Sequence, residues 1–181
     1  MSVIVALRTA DGRSTWIGSD TMVCSSDLKL DYGPKWVIHE PWAVGIAGHL
    51  RTVNLVAHNA ASLLGNLESA YQFSGRARDL MKADGYRDNA EDRGPTEFGG
   101  AFILSCPTGA WTIASDFSVS AIPAGAAWAE GSGREISLGA MHALQSLRGA
   151  FAPDVILRHA IEAAISFDIA CGGRVWLMEL A

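Results

Sequence analysis

Met1-Ser2-Val3-Ile4-Val5-Ala6-Leu7-Arg8, Thr9-Ala10-Asp11-Gly12-Arg13 and Ser14-Thr15-Trp16-Ile17-Gly18-Ser19-Asp20 read as two strands joined across an Asp-Gly turn. Apolar, β-branched runs on either side of Asp-Gly are the strongest short-range hairpin signal. Chain termini are ordinarily ragged. Here a strand of core quality begins with the first residues, so the terminus is expected to be built into the fold. Removal of Met1 would leave Ser2 with a nucleophilic hydroxyl and a free α-amine on one residue. That amine has an unperturbed pKa of roughly 7.7–8.0, close enough to neutral to act as a general base.

Working outward, Thr21 to Gly33 is a mixed polar stretch that reads as a loop of active-site length. Pro34–His39 and Trp42–Ala47 read as strands around a Glu40-Pro41 turn, the second ending at Gly48. The period then changes. Leu50, Val53, Ala57, Ala60 and Leu64 recur at three- and four-residue spacing on one helical face, and Gly65-Asn66 ends that helix. Leu67, Ala70, Tyr71, Ala77, Leu80 and Met81 predict a second helix, weakened by Gly75.

Asp84–Glu97 is charge-rich and punctuated by Gly85, Gly94 and Pro95, as a surface loop would be. Phe98–Leu104 and Ala110–Ala114 pair across Pro107-Thr108-Gly109, and shorter strands are expected around Val119–Ile122 and Ala126–Ala129. Gly131-Ser132-Gly133 opens a helix carrying Ile136, Ala140, Met141, Leu144 and Leu147. Ser132-Gly133-Arg134-Glu135 has the S-x-x-E form of a capping box. Pro153 suits the first turn of a last helix with Ile156, Ala160, Ile161 and Ala164 on its apolar face, and Arg174–Met178 closes as a strand.

The predicted order is four strands, two helices, four strands, two helices and one strand. Strands and helices come in blocks, which excludes a doubly wound α/β fold. Two sheets stacked face to face, with a helix pair on each outer side, would bury every apolar face: an α+β, four-layer αββα sandwich.

The 181 residues are enough for one sizeable core and few for two, so a single domain spanning 1–181 is expected. With 49% hydrophobic and 18% charged residues the chain is globular in type, and its formal net charge of −5 argues against nucleic acid or an anionic membrane as partner. No apolar run is long enough to span a bilayer, and no cationic segment leads an apolar one as in a secretory signal. Cys24, Cys106 and Cys171 are an odd number without C-x-x-C spacing, which fits free thiols in a cytoplasmic protein.

Motifs for phosphate binding, zinc proteolysis, dinucleotide binding and the G-x-S-x-G nucleophile elbow are missing. His39, His49, His58, His142 and His159 show no metal-ligand spacing. No cofactor is predicted, and any catalysis falls to hydroxyls, amines and carboxylates.

Ser2, then Gly18-Ser19-Asp20, Pro34-Lys35-Trp36, Gly45-Ile46-Ala47-Gly48, Gly131-Ser132-Gly133 and Asp168-Ile169-Ala170-Cys171 stand in an order and spacing that resemble proteasome β-type subunits. The likeness is closest to the bacterial branch, which includes the HslV peptidase and the proteasome homologue of β-proteobacteria, and covers nearly the whole chain. The resemblance implies the αββα sandwich of N-terminal-nucleophile hydrolases and a threonine-type endopeptidase, here with serine. It further implies stacked homo-oligomeric rings, hexameric or heptameric, acting on unfolded polypeptides and fed by an ATP-dependent unfoldase.

By the same resemblance, Ser2 is the nucleophile and its own α-amine the base. Lys35 supplies positive charge beside it, and Asp20 holds Lys35 by a buried ion pair. Gly48 presents an N–H to the oxyanion, Ser132 hydrogen-bonds the amine, Asp168 completes the polar network, and Ile46 lines the side-chain pocket. Cys171 stands where the family often has a hydroxyl residue. Two departures are visible. Ser2 lacks the β-methyl that restricts a threonine rotamer, and His49 replaces a second glycine after Gly48, crowding the oxyanion site. A catalytically silent ring scaffold and a small-molecule amidase are the rival readings of the same fold.

Overall fold

The computed structural model describes residues 2–24, 29–86, 98–147 and 149–181. The chain runs β1 (Val3–Arg8), β2 (Thr15–Asp20), β3 (Met22–Cys24), β4 (Lys29–Asp31), β5 (Trp36–His39) and β6 (Trp42–Ala47), then α1 (Leu50–His58), α2 (Ala60–Leu64) and α3 (Ala70–Ala83). It continues with β7 (Ala101–Cys106), β8 (Gly109–Ile113), β9 (Val119–Ala121), β10 (Ala127–Gly131), α4 (Arg134–Ser146), α5 (Pro153–Phe167) and β11 (Val175–Leu180). One antiparallel sheet has the order β10-β1-β2-β11, a second the order β5-β6-β7-β8-β9, and β3-β4 form a small ribbon.

Strand parity builds the layers. In β1, Val3, Val5 and Leu7 point to α4 and α5, where they pack with Met141, Leu157 and Ile161. Ile4 and Ala6 alternate to the other face and meet Ala43, Ala47 and Ile103 of the second sheet. The outer face of that sheet, with Val44, Ile46, Phe102 and Leu104, packs on Val56, Phe73 and Met81 from the first helical block. The result is the expected αββα sandwich. Its middle layer uses small residues on β6, and the Trp36 ring lies so close to Gly45 that a Cβ there would stand 2.7 Å from it.

Four local expectations are corrected. Thr21–Gly33 contains the β3-β4 ribbon, whose three-residue strands are too short to show a period; residues 25–28 of that stretch lie outside the described residues. The first long helix breaks at Asn59 into α1 and α2, because Asn59 Nδ2 donates to the Leu55 carbonyl (2.8 Å) and so competes with the continuing backbone ladder. Helix α4 starts at Arg134 with Gly133 as N-cap and no side-chain cap bond, so Ser132-Gly133-Arg134-Glu135 is not a capping box. The Asp-Gly tip is not a two-residue turn either: Arg8 pairs with Thr15, Thr9 and Ser14 close the loop, and Asp11 Oδ1 accepts from Thr9 Oγ1 and the Arg13 N–H. Of the charge-rich Asp84–Glu97 stretch, residues 87–97 lie outside the described residues.

Gly131 sets the geometry between β10 and α4. Its φ is +106°, and a Cβ there would lie 2.0 Å from the Ser2 carbonyl oxygen. Gly131→Ala combines backbone strain with a steric clash. We expect it to lower folding stability by about 2–4 kcal/mol, read as a shift of the urea midpoint. An unchanged midpoint would contradict this packing.

Candidate active site

Asp20, the last residue of β2, is fully buried. Its Oδ1 accepts from the Val3 N–H (3.0 Å) and from Lys35 Nζ (2.5 Å), and its Oδ2 accepts from the Gly172 N–H (3.0 Å). The Asp20 carbonyl takes a further bond from Lys35 Nζ (3.1 Å). Lys35 precedes β5, is 3% exposed, and is fixed at its backbone by Ser19 Oγ, which accepts the Lys35 N–H (3.2 Å). Trp36 Nε1 donates to the Gly18 carbonyl (2.9 Å), locking the same corner. Burial pulls the Lys35 ammonium below its ordinary value, and the Asp20 carboxylate opposes that pull only in part.

Ser2 is 2% exposed and sits where two cavities meet. The first, of about 220 Å³, is walled by Val23, Cys24, Tyr32, Lys35, Gly48, His49, Leu50, Val53 and Gly99. The second, of about 310 Å³, is walled by Ala47, Gly48, Gly99, Gly100, Ala101, Glu130, Gly131 and Ser132. Gly48 belongs to both. It joins β6 to α1, a nine-residue helix with no side-chain cap and no acid in its first turn. The amides of such a helix start favour negative charge. His49 is the exposed N-cap of α1, and its imidazole lies beside Gly99 on the wall of the first cavity.

A second polar group approaches from the α4–α5 side. Ser132 Oγ donates to the Ser2 carbonyl (3.5 Å) and lies 4.0 Å from Cys171 Sγ. Asp168, the C-cap of α5, accepts from the Ala170 N–H at Oδ1 (2.9 Å) and from the Cys171 thiol at Oδ2 (3.3 Å). Burial alone would raise the Asp168 carboxyl; hydrogen bonds from Ser132, Ala170 and Cys171 together outweigh it and hold the group below the usual carboxylate range. Cys171 is 4% exposed, and burial, with the charges of Asp20 and Asp168, pushes its thiol up to about 12. It is therefore a neutral donor at physiological pH rather than a nucleophile.

The structure thus gathers Ser2, Lys35 and Gly48 on one cavity, seats Asp20 beneath Lys35, and brings Ser132 with Asp168 behind the Ser2 backbone. Ile46 is the exception. It is fully buried among the side chains packed on α1–α3 and lines neither cavity, because the parity of β6 turns it away from the inter-sheet face. Met1 lies outside the described residues. The sequence reading missed Gly99, Gly100, Tyr32, Val53 and Glu130 as cavity walls. Glu130 alone left a signal, as a single charge in the otherwise apolar Ala127–Gly131 strand. Among the described residues, no group of His, Cys, Asp and Glu could hold a metal ion, and no helix is long and apolar enough to cross a membrane.

Two sheets between two helical layers, with Ser2 buried at one end of them, form a proteasome-like fold. No family model and no curated protein sequence matches the chain. Among solved structures it is similar to the BPH of Thiobacillus denitrificans. The complex of that protein with epoxomicin gives a TM-score of 0.80 at 22% identity over 99% of both chains. The same protein in a second structure gives 0.79 at 22% identity over 99% of this chain and 98% of the other. Eukaryotic HslV from Trypanosoma brucei gives 0.70 at 21% identity over 98% of both chains. The resemblance to the HslV-like branch therefore extends to the whole fold.

The lowered Lys35 value has a consequence with a defined sign. Between the folded value and the ordinary 10.5, the unfolded chain holds the proton more firmly than the folded one. Relative to Lys35→Met, the wild-type chain gains stability as pH rises through the window just below 10.5. Urea midpoints of the two proteins across that window check this; a falling difference would contradict it.

Proposed function

We propose that the chain is a self-compartmentalising, proteasome-like peptidase that cleaves peptide bonds with Ser2 as nucleophile after removal of Met1. The observation that carries this reading is the position of Ser2: buried, and flanked on one cavity by Lys35 and by Gly48 at the start of α1. The Ser2 α-amine, directly or through water, takes the hydroxyl proton as Oγ attacks the carbonyl carbon of the scissile bond. The amine pKa lies in the range where such a base is effective. Lys35, held by Asp20, favours the deprotonated forms of both groups beside it.

The developing oxyanion is received by the Gly48 N–H, a kind of donor whose loss typically costs about 10²–10³ in rate. Collapse expels the amine half of the substrate, which takes the proton, and leaves an ester on Ser2. Water activated by the same α-amine hydrolyses that ester and restores the hydroxyl. Ser132 and Asp168 orient the Ser2 backbone and its amine. Val23, Tyr32, Leu50 and Val53 make the first cavity suited to an apolar side chain of the substrate.

The 181 residues act as one domain and assemble as stacked homo-oligomeric rings, hexameric or heptameric. Phe167 and Ile169, 79% and 88% exposed, support a covered face at the end of α5. The substrates are unfolded polypeptides in the cytoplasm, and an ATP-dependent unfoldase is the partner that feeds the chamber.

Hydrolysis of internally quenched peptides tests the reading. Ser2→Ala should lose at least about 10³-fold in kcat/KM, whereas Ser2→Thr, which keeps the hydroxyl and amine, should stay within roughly tenfold of the wild type. Equal rates in the wild type and Ser2→Ala would exclude Ser2. Ring-sized particles that cut neither peptides nor simple amides would favour a silent scaffold.

A further inference from the structure

Glu130 is 8% exposed on the edge strand β10 and is paired in register with Ile4, whose side chain points into the space between the sheets. The glutamate shares that direction and closes one wall of the second cavity at Ser2. Its Oε1 accepts two neutral hydrogen bonds, from Thr112 Oγ1 (2.8 Å) on the facing sheet and from Trp128 Nε1 (2.9 Å). Among the described residues, Oε2 has only Arg134 Nη1, at 3.8 Å, outside hydrogen-bond distance. Arg134 is itself 45% exposed on its side chain and shared with Glu135 at 3.9 Å. One oxygen is therefore fixed and the other left with acceptor capacity.

The remaining walls are Ala47, Gly48, Gly99, Gly100, Ala101 and Gly131, together with Ser2 and Ser132. Glu130 is the charged group of this cavity, as Lys35 is of the first. Narrow walls of small residues accept a methylene stem, and a carboxylate at the wall accepts an ammonium or guanidinium tip with a charge-assisted bond. Lys35 in the first cavity disfavours the same tip there, so the two cavities sort a cationic side chain to one side of the nucleophile.

We infer that Glu130 is a specificity-determining residue: the second cavity takes a lysine or arginine side chain of the substrate residue flanking the scissile bond, an inference that rests on the peptidase reading above.

Peptides that differ only in the two residues flanking the cleaved bond, each set to lysine, norleucine or glutamate, test it. The wild type should favour lysine over norleucine about tenfold in kcat/KM at one flanking position and not at the other. Glu130→Gln keeps an acceptor for Thr112 and Trp128, and should bring that ratio within about twofold. Arg134→Gln should widen the ratio. A lysine preference at neither position, or one that persists in Glu130→Gln, overturns the inference.

A binding measurement separates this from the peptidase reading. Calorimetric titration with agmatine should show binding to Ser2→Ala protein that weakens at least about fivefold when Glu130→Gln is added. Equal binding by both overturns the inference whatever the peptides do. Glu130-dependent agmatine binding by a protein that cleaves no peptide upholds the cation site and overturns the peptidase.

Discussion

The buried pair of Asp20 and Lys35 is the interaction on which the open end of the sandwich depends. Four bonds converge on one residue, from Val3 at the start of β1, from Lys35 before β5 (twice), and from Gly172 ahead of β11. The first sheet supplies the carboxylate and the second supplies the cation, so the pair bolts the layers together where Ser2 emerges. Burying two charges costs several kcal/mol per ion before their attraction offsets it. A purely apolar plug could hold the same corner at no such cost. The pair nevertheless sets a buried positive charge on the wall of the cavity that Ser2 lines.

The inter-sheet layer explains why cavities exist at this end. Along β1 and β6 the facing residues are Ile4, Ala6, Ala43 and Ala47, and the sheets close over them with Ile103, Ala110 and Ile122. Beyond Ala47 the chain turns through Gly48 into α1, while Gly99 and Gly100 lead into β7. Three glycines in place of side chains leave space on both sides of Ser2. The first side carries Lys35 among apolar walls, the second Glu130 among small ones. Ser2 thus stands between cavities of opposite charge.

Much of this was legible in the residues because periodicity reports burial directly. The alternation of β1 and the 3.6-residue faces of α3 and α5 follow from apolar spacing, and the opening hairpin from apolar runs on either side of Asp-Gly. Ser2, Asp20, Lys35, Gly48, Ser132 and Asp168 were named from ordered motifs, and each lies in or against the Ser2 region. Ile46 was misplaced because a period of two tells which residues share a face, not which face meets the other sheet. The S-x-x-E pattern misled for a different reason. Gly131 turns the chain through a positive φ, so Ser132 faces the Ser2 carbonyl and the helix begins a residue later than a Ser132 cap requires. Short strands such as Met22–Cys24 carry too few residues for any period to register.

The central claim is that Ser2 is a free N-terminal nucleophile, and the most direct measurement is the intact mass of the purified protein before and after treatment with an epoxyketone. That electrophile captures a hydroxyl and an α-amine on the same residue, the combination that Met1 removal would create. The account predicts a chain lighter by one methionine residue that gains one adduct per chain, with no adduct on Ser2→Ala. A chain of full-length mass that stays unmodified would contradict it.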